Sequence, residues 1–222
     1  MRKALILAGC VLLSISVGDA GAFWVGGHMG SANGGDVNER STAMGIQAGG
    51  NIDNIFSVEM SGTRFDDSEV AMKLHITSLA VTGLAGVNIM DNVRLYGGVG
   101  LDFNMTYARV DVLEVLANQK HETVEDFVRS QHLTMDEART SVQQGGLAVN
   151  VKYNDTVGYH VTAGASVNVT DGFQVFAQYR YTWARQSGDL TTDAYGTTEH
   201  YPDAFSRNYA YSLVLIGFNL VM

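Results

Sequence analysis

Apolar and polar side chains alternate along most of this chain with a two-residue period, as in β-strands whose two faces meet different surroundings. Residues 159–169 show it best. Tyr159, Val161, Ala163, Ala165, Val167 and Val169 fall on one face, and His160, Thr162, Gly164, Ser166 and Asn168 on the other. In 173–183 the odd positions are Phe173, Val175, Ala177, Tyr179, Tyr181 and Trp183, against Gln174, Phe176, Gln178, Arg180 and Thr182. In 93–107, Val93, Leu95, Val99, Leu101, Phe103, Met105 and Tyr107 oppose Arg94, Tyr96, Asp102, Asn104 and Thr106. Weaker alternation in 23–31, 42–52, 56–65 and 72–89, and a segment at 211–222 that is apolar on nearly both faces, complete eight predicted strands. Within 72–89 the phase slips: Leu74 and Ile76 are even, whereas Leu79, Val81, Ala85, Val87 and Ile89 are odd. A β-bulge near Thr77-Ser78 reconciles the two halves.

The connections sort by length. After the second, fourth and sixth strands come Asp53-Asn54, Asp91-Asn92 and Asp171-Gly172, residues that tolerate the positive φ of tight hairpins. After the first, third, fifth and seventh come longer polar stretches at 32–41, 66–71, 111–146 and 186–208. In an up-and-down meander, every short turn then lies at one end, with both termini, and every long loop at the other.

Alternation alone does not say which face is inside. A soluble barrel exposes a surface rich in Lys and Glu. Here the polar face is mostly Gly, Ser, Thr, Asn and Gln, and only 17% of the 222 residues are charged against 46% hydrophobic. Such small groups suit the interior of a narrow barrel whose apolar face meets lipid, and closure pairs every backbone N–H and C=O as hydrocarbon demands. No apolar run of about 18 residues follows the N-terminus, so helical spans are excluded. A formal net charge of −9 argues against nucleic acid as a partner. The predicted fold class is all-β, an eight-stranded antiparallel up-and-down transmembrane β-barrel. Tyr107, Phe173, Tyr181, Trp183 and Tyr211, near strand ends, are its expected interface aromatics.

The first residues read as an address. Arg2 and Lys3 precede an apolar stretch at 4–17, and Ala20-Gly21-Ala22 offers small residues where a signal peptidase reads. Cleavage is expected after Ala22, leaving residues 23–222 as the barrel. Leu7-Ala8-Gly9-Cys10 also looks like a lipoprotein box, but the apolar run continues past the cysteine, and the ordinary site is the better reading. The processed chain then has no cysteine, which suits an oxidising compartment.

The sequence resembles the eight-stranded outer-membrane β-barrel families: opacity-type adhesins, OmpX-like proteins and the OmpA transmembrane domain. Gly164-Ala165-Ser166 running through Asp171-Gly172 into Tyr179-Arg180-Tyr181, and the closing Ile216-Gly217-Phe218-Asn219-Leu220-Val221-Met222, carry the likeness. The resemblance implies a cell outer membrane of the Gram-negative type, delivery by the barrel-assembly machinery, and contact with outer-membrane lipids and lipopolysaccharide. It also implies a non-enzymatic structural or adhesin-like role. Such barrels usually end in Phe. Here Phe218, Leu220 and Met222 keep the alternating pattern and are expected to serve as the insertion signal. The chain ends with the last predicted strand, so no peptidoglycan-binding domain of the OmpA kind is expected. A channel or lateral opening for small hydrophobic molecules is an alternative, to which Gly49, Gly50, Gly97 and Gly98 would lend bendable strands. A lesser alternative is lipid A modification, for which His160 with Ser166, or His75 with Ser78, are fragments of a site.

Eight strands enclose a space that side chains can fill. Gln47, Asn51, Glu59, Arg94, Asp102, Asn104, His160, Gln174, Gln178 and Arg180 are interior candidates. Counted from the turns, Glu59 and Arg94 lie near the short-turn end, and Asp102 and Arg180 near mid-height. Opposite charges among Glu59, Arg94, Asp102 and Arg180, with Gln178, are expected to pair and plug the lumen, because an unpaired buried charge is costly.

Between the fifth and sixth strands the period changes. Val112, Leu113, Val115 and Leu116, then Val124, Phe127 and Val128, recur at helical spacing, and Thr134-Met135-Asp136-Glu137 fits a capping box. Residues 111–144 carry seven acids and three bases, a net of −4. Leu147, Val149, Val151 and Tyr153 keep the odd phase of the sixth strand, which is expected to extend upward past an interruption at Asn154-Asp155. The fifth strand, from Val93 to about Val110, would reach roughly 60 Å, far beyond the 9–11 residues of a membrane crossing. A protruding ribbon with a helical cap over 111–146 is therefore predicted. With 186–208, including Asp189, Asp193, Tyr195, Glu199 and Tyr201 and with Tyr209 nearby, it would either form an extracellular binding surface or shield the barrel mouth and contact lipopolysaccharide through divalent cations. No Gly-rich phosphate loop, zinc-binding histidine pair, cysteine cluster or nucleophile elbow occurs, and neither cofactor nor metal is expected.

Overall fold

A computed structural model describes residues 22–37, 40–69 and 71–222. The signal segment before Ala22 and its Cys10 box lie outside the described residues. The strands are β1 (Phe23–Asn33), β2 (Ser41–Asn51), β3 (Phe56–Glu69), β4 (Met72–Met90), β5 (Val93–Val110), β6 (Ala148–Tyr153), β7 (Thr156–Thr170), β8 (Phe173–Ala194) and β9 (Thr197–Val221). Three helices lie between β5 and β6: α1 (Val112–Gln119), α2 (Val124–Ser130) and α3 (Met135–Gln144). The hydrogen-bonded order runs β9-β1-β2-β3-β4-β5-β7-β8 and returns from β8 to β9, so eight antiparallel staves close a ring. β6 continues the line of β7 above the ring and pairs with β8 alone. Closure leaves the ring without an edge.

Three short turns and both ends of the described chain gather at one rim. There the Phe23 N–H donates to the Met222 carbonyl at 3.2 Å, and the Met222 N–H to the Phe23 carbonyl at 2.8 Å. Asp53 Oδ1 fastens its turn by accepting the N–H groups of Ile55 and Phe56 at 2.7 and 2.6 Å. At the opposite rim the strands run long. Two stretches expected as loops, 66–71 and 186–208, are mostly strand. β3 and β4 pair through Glu69 and Met72, and β8 and β9 through Ala194 and Thr197. The β8–β9 turn is Tyr195-Gly196, with φ of 49° and 82°, the left-handed pair a two-residue hairpin requires. These ribbons are polar on most positions, so no apolar alternation marked them.

The expected bulge at Thr77-Ser78 does not form. β4 keeps one register with β3 and β5 through that point, and its shift lies between Asn88 and Met90. Leu74 and Ile76 face inward, 0% and 1% exposed, where Leu79 and Val81 face outward. A different change, a true exchange of faces, occurs at Asn154-Asp155. Tyr153 pairs with Gly188 while Tyr159 pairs with Trp183, a one-residue offset between the two registers. Tyr153 consequently points in and Tyr159 out, although both are odd-numbered. A one-residue slip always exchanges the faces of a strand.

The ring therefore has two interiors. Near the short turns it is filled by Gln47, Glu59, Thr82, Asp102, His160 and Arg180. Toward the ribbons it becomes an apolar core of Phe65, Leu74, Ile76, Tyr153, Tyr209, Tyr211, Leu213 and Leu215, with Val151 and Phe205 packed against it. The apolar both-faced segment near the C-terminus is explained by this core, since Leu213 and Leu215 face it while Val214 and Ile216 face out. The helices form a separate cluster around Leu113, Val128 and Ala138. Asp111, Thr123 and Thr134 cap them, and the Thr134–Glu137 capping box is complete.

Candidate functional site

At the short-turn rim a cavity of about 400 Å³ opens into the barrel, lined among others by Asn51, Arg94, Asn168 and Gln174. Arg94 donates to Asn51 Oδ1 at 3.3 Å and to the Ile55 carbonyl at 2.8 Å. It thus guards this mouth and stays apart from the interior charge network it was expected to join.

Above this vestibule the lumen is closed by paired groups. Arg180 Nη2 lies 3.4 Å from Glu59 Oε1 and donates to Ser61 Oγ at 3.0 Å. Asp102 Oδ2 meets His160 Nδ1 at 2.6 Å, and its Oδ1 accepts from Ser78 at 2.7 Å. The far nitrogen of His160 lies 2.9 Å from Thr82 Oγ1, and Gln178 donates to Thr162 at 2.7 Å. A second histidine, His28, contacts Thr63 at 2.9 Å. Both rings sit across from glycines. A Cβ on Gly45 would lie 2.4 Å from His28 Nε2, and one on Gly100 would lie 2.7 Å from His160 Nε2. Alternation placed His160 inside but did not single out His28, and only the cross-strand register reveals the glycine spaces that admit them.

Thr82, His160 and Asp102 stand in the order of a hydroxyl–imidazole–carboxylate relay. However, the His160 and Asp102 side chains are both 0% exposed, which closes the relay off from solvent. The pairs proposed from sequence do not assemble. His160 bonds Asp102 and Thr82, whereas His75 faces outward onto Asp66 at 2.7 Å and Ser78 faces inward.

Above the charges lies the aromatic layer. Tyr211 donates to Asn104 at 2.9 Å and packs 4.9 Å from Phe65, while Tyr209 donates to Asp67 at 2.9 Å. Tyr211 is 1% exposed, an interior residue rather than an interface aromatic, because β9 carries its even positions outward here. Tyr209, also 1% exposed, is likewise absent from the ribbon surface. Tyr107 is exposed on the outer wall, and Phe173, Tyr181 and Trp183 are half-buried there. Tyr181 and Trp183 meet edge to face at 4.5 Å, and Phe173 stacks on Phe218 at 6.1 Å. Phe218, Leu220 and Met222 are exposed at the end of β9.

One seam interrupts the wall. β5 pairs with β7 only as far as Asn104↔Thr156. Among the described residues, no backbone pairing joins β5 above that level to β6. The glycines at 49–50 and 97–98 do not open the wall, since the registers through them are unbroken. Beyond the ring, the β8–β9 tip touches the helices, with the Tyr195 N–H donating to the Gly145 carbonyl at 3.3 Å. Tyr195 itself is 83% exposed, and Tyr201 donates to Glu199 on the same ribbon.

An edgeless antiparallel ring with an outward apolar belt, short turns at one rim and long ribbons at the other defines a small transmembrane β-barrel. The family model for the outer membrane protein beta-barrel domain matches residues 4–201, and the chain belongs to that family and resides in the Gram-negative outer membrane. Among solved structures, Neisserial surface protein A is similar at 14% identity, over 90% of this chain and 96% of that one, with a TM-score of 0.53. OprG from Pseudomonas aeruginosa is similar at 11% identity, over 91% and 96%, with a TM-score of 0.54. These likenesses concern the fold. No curated protein matches the sequence.

Proposed function

We propose that this is a closed, non-enzymatic barrel whose task is to hold an acidic, three-helix surface module outside the cell for contact with an extracellular ligand. The observation that carries this reading is the double closure of the lumen beneath long ribbons. Charged pairs and then an aromatic layer fill the ring, while β8 and β9 extend for 22 and 25 residues. Barrels of this class place short turns in the periplasm and long connections outside, which puts the helices on the cell surface. Replacing residues 112–144 by a short Gly-Ser linker in the otherwise complete protein tests it. The shortened barrel is expected to keep its heat-modifiable migration and its silence in planar bilayers while surface attachment is lost. Attachment that survives the deletion, or large steady currents from the intact protein, would refute the reading.

The seam between β5 and β6 favours a second reading. This unpaired seam begins at the level where the hydrocarbon ends, beside an apolar layer, and so supports a path by which small hydrophobic molecules pass from outside toward the bilayer. Uptake of a small aromatic hydrocarbon by expressing cells, unaffected by deleting the helices, would select this reading over the first.

A further inference from the structure

The outer wall of β3, β4 and β5 changes character at one height on all three strands. Leu79, Val81, Val99 and Leu101 form an outward aliphatic belt. Outward positions nearer the ribbon rim then become Arg64 on β3, His75 and Lys73 on β4, and Tyr107 and Arg109 on β5. Leu95 to Met105 is an 11-residue run, about what a tilted strand needs to cross hydrocarbon. The basic groups therefore stand where acyl chains end and headgroups begin, on the side facing out of the cell.

Three features mark this as a place for an anion. Lys73 and Arg109 are direct cross-strand partners, an arrangement of like charges that destabilises a sheet unless something negative lies between them. Among the described residues no carboxylate lies within 4 Å of the Arg64 or Arg109 guanidinium, although Asp66 feels the charge of Arg64. The carboxylate in range is Asp66, 3.7 Å from Lys73 and 2.7 Å from His75. A groove of about 500 Å³ runs along the patch, with Met105 and Thr77 between Arg64, His75 and Tyr107, apolar below and basic at its rim. Just above, a second cavity of about 640 Å³ brings Arg139 of α3 toward Lys73 and Arg109, with Asp111 and Glu114 of the helical segment also lining it.

We infer that this face binds the phosphorylated headgroup of an outer-leaflet glycolipid of the lipid A type. Arg64, Lys73 and Arg109 take its phosphates, and the aliphatic belt below takes its acyl chains. Guanidinium groups suit phosphate because they donate in a planar fork, and Lys73 adds a mobile point charge. The amphipathic groove selects a lipid over a soluble polyanion, since a free anion would gain nothing from Met105 and the belt. Clustered Lys and Arg beside a hydrophobic span are the general means by which membrane proteins recognise anionic headgroups.

The test uses the full-length refolded protein in detergent, titrated with bisphosphorylated lipid A and with the same lipid after phosphate removal. The wild type is expected to prefer the phosphorylated form by about tenfold or more. The R64Q/K73Q/R109Q variant is expected to lose that preference while remaining heat-modifiable. A control variant, K120Q/R129Q on the helices, should retain it. If the triple variant fails to fold, R109Q alone should lose part of the preference and Lys73→Arg should keep it. Equal binding of both lipids by the wild type, or an undiminished preference in the variants that remove charge, would overturn the proposal. Tighter binding of a soluble sulfated glycan than of lipid A would also overturn it, and would mark the patch as a polyanion receptor.

Discussion

The half of the barrel near the short turns and the half near the ribbons are built from the same eight staves with opposite sidedness. Below, Glu59, Asp102, His160 and Arg180 are inside while Leu79, Leu101 and Val161 are outside. Above, Phe65, Leu74 and Tyr211 are inside while Lys73, His75 and Arg64 are outside. The difference follows from solvent. Where the wall meets hydrocarbon, its apolar side must face out and the lumen collects polar groups that pair with one another. Where the wall rises into water, the same ring behaves as a small soluble barrel and buries an apolar core. A parity change in the hydrophobic pattern, without any bulge, is thus the signature of a strand leaving the membrane.

The largest effect that tests this comparison concerns the lower interior. Arg180→Ala leaves Glu59 buried without its partner, and breaking a buried pair costs about 3–5 kcal/mol. Urea unfolding in lipid vesicles should show a midpoint well below wild type. Replacing both partners with apolar residues, as in Glu59→Leu with Arg180→Met, should recover much of that loss. If Arg180→Ala unfolded like wild type, the lower interior would not be held by charge pairing.

A smaller effect separates the upper interior from the outer belt. Leu74→Ala opens a void in a packed core and should cost about 2–5 kcal/mol. Leu79→Ala lies five residues along the same strand but faces lipid, which fills the gap, so its cost should be about 1 kcal/mol or below. Equal losses for the two variants would mean that both leucines share one environment.

Much of this was legible because strand alternation reports a two-sided environment directly. The closed eight-stave ring, the short turns and the helical insertion all follow from period and turn chemistry. The interior charges could be named for the same reason, since Glu59, Asp102 and Arg180 lie on polar faces. Their partners could not be read, because Arg180 meets Glu59 across the lumen from a stave far away in sequence, a relation set by stagger rather than spacing. Arg94 shared the parity of the plug yet sits at the mouth. Tyr211 is no interface aromatic because β9 begins at Thr197 and so does not start near it, and Val151 turns inward because the one-residue offset at Asn154-Asp155 exchanges the faces of β6. The ribbons at 66–71 and 186–208 were invisible for a different reason: polar residues occupy both faces there, so no alternation separates a polar strand from a polar loop.

The smallest expected effect tests whether the helical module stands outside this two-solvent scheme, with a core of its own. Thr134 accepts the Glu137 N–H at 3.3 Å, and Glu137 Oε2 accepts the Thr134 N–H at 2.8 Å. The backbone N–H of Thr134, and then its hydroxyl, hold the Glu137 carboxyl below the usual carboxylate range. A depressed carboxylate stabilises the folded form at pH values above its ordinary range, and the benefit fades as pH falls through the lowered value. The protection factors across 135–144, taken against the unstructured chain at the same pH, should therefore fall on acidification toward pH 3, and Thr134→Ala should produce much of that fall already at pH 7, at a cost of about 1 kcal/mol. Because the Leu113–Val128–Ala138 cluster is separate from the core of the ring, exchange in β4 and β9 should not change in that variant. Coupled exchange of helices and strands would instead join the module to the barrel as one cooperative unit.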